Sequence, residues 1–318
     1  MSGMRAIQIV ELSGPESALK LVDIADPGGD GVLIDVRAAG VSFPEVLQTR
    51  GAYQIKPELP FVPGSEVAGV VKRASDGFEA GDRVAAFPML GGFAEVALAP
   101  AHFTFRLSDE LDFAQGAGLI LNYHTAYFSL VSRGRLQAGE TVLVQGAAGG
   151  VGTATLQVAK GLGARTIAVV STDEKERVAR EAGADEVVRA DGFKDAAKQL
   201  GGADLIVDPV GGDRFTDSLR SLNPDGRLVV VGFTGGSIPE VKVNRLLLNN
   251  IDVVGAGWGA YITRRPALIG EIAAKLDELI AAGHIQPLVG ARLPLERASE
   301  ALQLIDGRGA TGKVVLEP

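Results

Sequence analysis

Cysteine is absent from the 318 residues of this chain, and histidine occurs only three times. Without cysteine the chain can form neither a disulfide nor a thiolate zinc site, and it has no cysteine nucleophile. The three histidines, His102, His124 and His284, lie far apart in sequence and show no metal-ligand spacing. We therefore expect them to be surface or hydrogen-bonded core residues, and we expect no metal centre.

Long apolar runs and an excess of positive charge are also missing. No apolar segment approaches the ~20 residues that span a membrane, and the apolar stretch near the N-terminus is too short for a signal peptide. The net charge of -8 at pH 7 argues against a general nucleic-acid or anionic-membrane surface. A cytoplasmic enzyme is the expectation.

A glycine-rich turn joins a strand-like run to a helix-like run in the middle of the chain. Residues 141–152 read Thr-Val-Leu-Val-Gln-Gly-Ala-Ala-Gly-Gly-Val-Gly, and helical periodicity follows. This order suits a dinucleotide pyrophosphate, because glycines let the backbone approach the phosphates and the helix N-terminus presents free N–H groups. Alanine stands where the usual fingerprint has its first glycine. The predicted phosphate-binding residues are Ala147, Ala148, Gly149, Gly150, Val151 and Gly152.

The pattern of apolar residues changes twice along the chain. Residues 1–121 hold short β-type runs punctuated by Gly and Pro, which indicates an irregular β-rich domain. Residues 122–288 alternate strands with amphipathic helices, which predicts a parallel doubly wound sheet and a Rossmann dinucleotide-binding domain. Residues 289–318 return to strand-like runs and are inferred to rejoin the first domain. The predicted fold class is α/β, with strands near 141–145, 166–170, 186–188, 204–208, 227–231 and 251–254.

Four segments, in this order, make the chain resemble the zinc-independent quinone oxidoreductases (zeta-crystallin-like) of the medium-chain dehydrogenase/reductase superfamily. They are 63–69 (Pro-Gly-Ser-Glu-Val-Ala-Gly), 91–97 (Gly-Gly-Phe-Ala-Glu-Val-Ala), 147–152, and 310–316 (Ala-Thr-Gly-Lys-Val-Val-Leu). The resemblance covers essentially the whole length. It implies a GroES-like β-rich domain plus a Rossmann domain, which agrees with the partition that periodicity predicts.

The resemblance also bears on the metal. Zinc-dependent relatives carry a catalytic Cys and a Gly-His-Glu motif, whereas the matching positions here are Ser42 and Ser65, and the cysteine-rich lobe has no counterpart. A Lewis-acid mechanism therefore has no support from these residues. The implied reaction is a zinc-free hydride transfer.

The end of the second Rossmann strand predicts the cofactor. An acidic residue there would hold the ribose 2′-hydroxyl of NAD, but the strand ends in Ser171, which leaves room for a 2′-phosphate. Lys175 lies one turn further on, and similar Ser-x-x-x-Lys segments in the family bind NADPH. We therefore predict NADPH over NADH. In the alternative, Ser171 forms a capping box with Glu174 and Lys175 is a solvated helix residue; Arg189, after the third strand, could add charge nearby.

The remaining cofactor residues are assigned from strand ends and from the resemblance. Two of them, Asn122 and Thr125, are expected at the start of the helix that leads into the Rossmann domain. Trp258 is expected to line the cofactor pocket, and its alternative role is packing in the core. Lys313 could instead be only a charged residue at a strand edge. The residues assigned in this way are Asn122, Thr125, Val210, Gly232, Phe233, Gly257, Trp258, Gly312 and Lys313.

The acceptor side rests on Ser42 and Tyr53. The family usually has Asn at the place of Ser42 and Asp at the place of Glu45, yet the Ser42 hydroxyl can still donate to a carbonyl oxygen. Tyr53 matches a tyrosine that lines the family's substrate cleft, and its phenol could orient or protonate the reduced acceptor. Loop packing is the alternative role for Tyr53, and solvent is the alternative proton source.

Two classes of function stay open at this point. The first is an NADPH-dependent reductase of a quinone or of an enone double bond, which these residues do not separate. The second is a non-catalytic NADPH-binding protein, as the lens crystallin members of the family partly are. The family commonly forms homodimers by joining Rossmann sheets edge to edge, and the strand near 251–254 is the candidate for that edge.

Overall fold

The chain divides into two units in the computed structural model, which describes residues 3–318. The first unit comprises the chain up to Leu121 together with Pro287–Pro318. The second unit comprises Asn122–Gln286. Within residues 3–318, no helix is long and apolar enough to cross a membrane.

Fifteen strands are described, in both parallel and antiparallel pairings. In chain order they are β1 Gly3–Ile9, β2 Leu19–Ala25, β3 Val32–Val41, β4 Glu66–Val71, β5 Arg83–Ala86, β6 Val96–Ala99, β7 Thr104–Arg106, β8 Thr141–Val144, β9 Arg165–Val170, β10 Glu186–Arg189, β11 Ala203–Asp208, β12 Leu222–Val230, β13 Asp252–Gly255, β14 Val289–Pro294 and β15 Lys313–Glu317.

The helices are mostly short. They are α1 Phe43–Gln48, α2 Phe113–Gly116, α3 His124–Tyr127, α4 Gly150–Gly161, α5 Asp173–Glu181, α6 Phe193–Gln199, α7 Phe215–Ser221, α8 Asn244–Asn249, α9 Trp258–Ile262, α10 Ala267–Ala281 and α11 Ala298–Asp306. Short 3₁₀ turns cover Ala101–Phe103, Gly212–Arg214 and Leu295–Arg297, and π-helical turns cover Leu119–Tyr123 and Phe128–Arg133.

The second unit is built on a six-stranded parallel sheet with the order β10-β9-β8-β11-β12-β13. This is the doubly wound order, in which the chain reverses direction across the sheet between β8 and β11. The strands read as nearly continuous apolar runs because helices cover both faces of a parallel sheet. The α/β fold class is confirmed, and all six predicted strands are present, although β12 begins earlier than residue 227.

The first unit contains a seven-stranded sheet. Its order is β14-β15-β3-β4-β5-β7, with β6 also paired to β3, and β1 and β2 form a separate antiparallel pair. Strand β15 lies between β14, to which it is parallel, and β3, to which it is antiparallel. The C-terminal strand is thus an interior strand of the sheet, and its first four residues, Lys313–Leu316, are buried.

Arg227 holds together the N-terminal ends of the parallel strands. Its guanidinium is buried and donates to both oxygens of Glu140, at 2.7 and 2.6 Å, and to the Asp204 carbonyl at 3.1 Å. It also donates to the Gly134 carbonyl. The bidentate contact lowers the pKa of Glu140 below its ordinary value. A buried charge that is paired in this way is costly to break from one side.

We expect Arg227→Met to lower the free energy of unfolding by about 2–3 kcal/mol, because the change leaves the Glu140 carboxylate and two carbonyls without their donor. The pKa of Glu140 is lowered on folding. The decrease in the free energy of unfolding is therefore largest above pH 4.5, and it becomes smaller as the pH falls below that value. Denaturant unfolding followed by Trp258, the single tryptophan, measures the loss.

The control is Arg220→Met, because Arg220 pairs with Asp217 on the exposed face of α7. Its cost should stay within about 0.5 kcal/mol. Equal losses in the two variants would contradict the role assigned to Arg227.

Candidate active site

The glycine-rich turn connects β8 to α4 and leaves the helix N-terminus open. Gly149 is the N-cap, with φ -83° and ψ 175°, and no side chain caps the first turn of α4. Gly146 holds the left-handed conformation of the turn, with φ +59°. An uncapped N-terminus of a helix presents backbone N–H groups and a partial positive charge, which together favour an anion.

The glycines of this turn have different steric roles. A Cβ on Gly152 would lie 2.3 Å from the Gly146 carbonyl oxygen, so only glycine fits where the helix meets the strand. A Cβ on Gly150 would lie 2.4 Å from the Asn122 amide nitrogen. A Cβ on Gly149 would meet nothing closer than 3.5 Å. Ala147 and Ala148, in the same turn, are buried.

Thr125 lies in the first turn of a helix, as expected, whereas Asn122 precedes that helix. Asn122 lies within the π-helical turn Leu119–Tyr123, and Thr125 lies in α3, which continues from that turn. Both side chains are buried. The helical backbone is already established before Asn122, so the Asn122 side chain has no capping role and packs under Gly150 instead.

The end of β9 corrects a second expectation. Thr172, and not Ser171, is the N-cap of α5, and its hydroxyl accepts from the Lys175 backbone N–H at 3.2 Å. The alternative capping box between Ser171 and Glu174 is therefore wrong. Thr172 has the extended backbone that an N-cap requires, with φ -138° and ψ 164°. Ser171 is exposed at the strand end, and Lys175 is half-buried.

Arg189 is already engaged near this strand end. Its guanidinium forms ion pairs with Asp173 and, at 2.8 Å, with Glu176. Two acidic residues of the first turn of α5 are thus paired with an arginine, and Lys175 lies in the same turn of the helix.

The loops after β11 and β12 are bonded to each other. Asp208 is buried, and its Oδ1 accepts from the N–H groups of Val210 and Gly211 at 2.8 and 2.9 Å. The Thr234 N–H donates to the Pro209 carbonyl at 3.1 Å. Val210, Gly232 and Phe233 therefore share one end of the parallel sheet, each half-buried.

Trp258 begins α9 and belongs to the core of its unit. It is 2% exposed, and its ring centroid lies 5.6 Å from that of His124. Gly257, the residue before it, is exposed and forms the N-cap of α9.

In the first unit, Ser42 lies at the edge of a buried polar cluster. The Ser42 backbone N–H donates to Glu45 Oε2 at 3.0 Å, and the other oxygen of Glu45 accepts from the backbone and hydroxyl of Ser65. Lys313 Nζ donates to Ser42 Oγ at 2.7 Å and pairs with Glu66. We call these residues, Ser42, Glu45, Ser65, Glu66 and Lys313, the buried charge cluster.

Lys313 is not a strand-edge charge. Its side chain is 3% exposed, and β15 is an interior strand. Gly312, with φ +63°, precedes it at the start of the strand and lies against the Leu288 carbonyl.

Sequence reasoning missed Glu66 as a functional candidate, although a glutamate at the head of the apolar strand β4 was a visible signal.

Burial changes the acidity of two groups in this region. It raises the pKa of Glu45 above its ordinary value, against the opposing effects of Ser65 and Lys313. Burial also raises the pKa of the Tyr53 phenol, with a further contribution from the nearby charge of Glu45. Tyr53 therefore stays a neutral phenol at neutral pH and can donate a hydrogen bond.

The buried charge cluster does not fit zinc. Zinc sites in proteins use thiolate, imidazole and carboxylate donors, whereas this cluster offers two hydroxyls and an ammonium beside its carboxylates. An ammonium has no lone pair for a metal and repels a cation. No group of three or more His, Asp or Glu side chains suited to a metal occurs within residues 3–318.

Two family models match the chain. Residues 28–109 match the alcohol dehydrogenase GroES-like domain, and residues 150–274 match the family described as zinc-binding dehydrogenase. No residue of the buried charge cluster falls within the second match.

Full-length relatives and solved structures agree with these matches. The chain is 36% identical to human quinone oxidoreductase, over 98% of this chain and 97% of the human protein. The quinone oxidoreductase of Thermus thermophilus, whose structure was also solved with NADPH, is similar with a TM-score of 0.87 and 36% identity, over 99% and 100% of the two chains. The Escherichia coli quinone oxidoreductase complexed with NADPH is similar with a TM-score of 0.88 and 29% identity, over 99% and 100%.

The glycine turn generates a contrast between two variants. We expect Gly152→Ala to lower the free energy of unfolding by at least about 2 kcal/mol, because its Cβ meets a backbone oxygen that cannot move aside. Gly149→Ala should cost about 1 kcal/mol or less, since its Cβ at the N-cap would make only an ordinary van der Waals contact of 3.5 Å. Denaturant unfolding followed by Trp258 fluorescence measures both, and equal costs would contradict the assigned geometry.

Proposed function

The chain belongs to the quinone oxidoreductase family of the medium-chain dehydrogenase/reductase superfamily and is an oxidoreductase, and we propose that it transfers a hydride from NADPH to a quinone without zinc. The observation that carries the proposal is the uncapped N-terminus of α4 beside Ser171 and Lys175. The Thermus thermophilus and Escherichia coli relatives, both solved with NADPH, support the same cofactor.

The second unit would hold the dinucleotide along one end of its sheet. The N–H groups after Gly149 suit the pyrophosphate, because α4 has no side-chain cap. Ser171 is small and exposed at the end of β9, and Lys175 supplies a positive charge for the 2′-phosphate. The nicotinamide end is assigned to the loops after β11 and β12, through Val210 and Phe233.

The first unit would supply the groups that act on the acceptor. When bound, NADPH supplies the hydride, and one proton completes the reduction of a quinone to a hydroquinone. The Ser42 hydroxyl donates a hydrogen bond to the acceptor carbonyl oxygen, which stabilises the negative charge that develops there. Tyr53 is a neutral phenol that can orient the acceptor, and solvent or this phenol supplies the one proton that the reduced acceptor takes up.

Turnover and cofactor choice test this proposal together. We expect the purified chain to oxidise NADPH with 9,10-phenanthrenequinone or 1,4-benzoquinone, and to prefer NADPH over NADH. Lys175→Ala should raise KM for NADPH by about tenfold, the value of one charged contact, and leave KM for NADH nearly unchanged. Lys198→Ala, at an exposed lysine of α6, is the matched control.

Three outcomes would overturn parts of the proposal. Turnover with a short enone but with neither quinone would replace the acceptor. Equal efficiency with NADPH and NADH would remove the assignment of Ser171 and Lys175. Tight NADPH binding with no turnover of any acceptor would show instead that the chain is a non-catalytic NADPH-binding protein.

We also propose a homodimer, for which the second unit carries the supporting features. Strand β13 lies at the edge of the parallel sheet. The neighbouring helix α8 exposes Leu247 and Leu248 at 77% and 74%, and Ile238 and Val243 are exposed at 76% and 72% in the segment before it. A run of apolar side chains exposed to this degree is typical of an association surface.

We expect the double variant Leu247→Glu/Leu248→Glu to be monomeric, because charges at these positions oppose burial in an interface. The control is Leu12→Glu, at an exposed leucine of the first unit. Sedimentation analysis at micromolar concentration measures the mass. A monomeric wild-type chain, or a dimeric double variant, would contradict the assignment.

A further inference from the structure

The ammonium of Lys313 is buried inside the first unit. Lys313 is 3% exposed, and Glu66 and Glu45 are completely buried. Burial of charges is strongly unfavourable unless each is paired and hydrogen-bonded. A lysine kept at such a position, with two carboxylates around it, calls for a role that an apolar residue could not fill.

The backbone encloses the pair closely. Gly40 lies opposite Glu66 in the pairing of β3 with β4, and a Cβ on Gly40 would come within 2.6 Å of the Glu66 side chain. A Cβ on Gly118 would lie 3.2 Å from Lys313. The second oxygen of Glu66 accepts from the Leu121 N–H at 2.8 Å. The carboxylate is therefore held from two sides, and it fixes the ammonium in turn.

The hydrogen bond between Lys313 and Ser42 can run in only one direction. An ammonium can donate but cannot accept, so the Ser42 oxygen accepts this hydrogen bond at 2.7 Å. The hydroxyl hydrogen of Ser42 must then point to another acceptor. Ser42 is also the partly exposed member of the buried charge cluster, whereas Lys313 and Glu66 are buried.

We propose that Lys313, held by Glu66, is a positioning residue that fixes Ser42 as a hydrogen-bond donor to the carbonyl oxygen of the acceptor. The positive charge behind the serine oxygen strengthens the O–H as a donor. Lys313 thus supplies a fixed internal cation and acts through Ser42, without touching substrate. The inference rests on the proposed function, and it differs from the sequence expectation that Lys313 binds the cofactor.

A double-mutant cycle separates two possible roles of Lys313, the positioning of Ser42 and the binding of NADPH. The proteins are wild type, Ser42→Ala, Lys313→Met and the double variant, each assayed for kcat and KM with 9,10-phenanthrenequinone and for the Kd of NADPH. We expect Ser42→Ala and Lys313→Met each to lower kcat by about 10- to 100-fold. The double variant should be no slower than Ser42→Ala alone, because Lys313 acts only through that hydroxyl. The Kd of NADPH should stay within about twofold throughout.

Two further variants guard against a purely structural effect. Lys313→Met/Glu66→Gln removes both charges and should fold, while its kcat stays as low as that of Lys313→Met. Lys72→Met removes a lysine on the surface of the same unit and should behave as wild type. Full activity of the charge-free pair would overturn the proposal.

Other results of the double-mutant cycle would assign Lys313 to the cofactor instead of to Ser42. Multiplicative losses in the double variant, or a raised Kd of NADPH with Lys313→Met alone, would assign Lys313 to the cofactor and overturn the proposal. A stable phenolate gives a readout apart from turnover: 4-nitrophenolate should bind the NADP⁺ complex more weakly after either single substitution. If wild type reduces no acceptor, the proposed function falls, and phenolate binding alone decides the role of Lys313.

Discussion

The first unit depends on the neutralisation of charge inside its sheet. Lys313, Glu66 and Glu45 are buried on three separate elements of the chain. Lys313 pairs directly with Glu66 and donates to the Ser42 hydroxyl, and the backbone N–H of Ser42 donates to Glu45. Because none of these groups is stable alone in a protein interior, they require β4, β15 and α1 to assemble together. The same requirement leaves Ser42 at the edge of the cluster with one defined hydrogen-bond polarity.

The second unit depends on a steric constraint instead. Gly152 packs against the Gly146 carbonyl with no space for a side chain, and this contact sets α4 directly after β8 with its N-terminus open. An anion site made from backbone N–H groups needs no charged side chain of its own. In the cofactor site that we propose, specificity depends on the neighbouring strand end, where Ser171 and Lys175 take the place of an acidic residue.

Much of the fold was predictable, because buried parallel strands and amphipathic helices have distinct periods. The six strands of the second unit and the α/β class followed from those periods, and the family followed from four short segments. The cap of α5 was missed because Ser171 and Thr172 are both good caps, and only backbone geometry separates them. Glu66 was missed although a glutamate at the head of an apolar strand is a visible signal, because its pairing with Lys313 joins strands that are distant in sequence.

The central proposal is that this chain transfers a hydride from NADPH to a quinone without a bound zinc ion. The most direct test is the rate of NADPH-dependent quinone reduction after exhaustive dialysis against a strong chelator, with metal content measured on the same sample. We expect an unchanged rate in protein that holds essentially no zinc. Loss of activity on chelation, with recovery on addition of Zn²⁺, would contradict the claim.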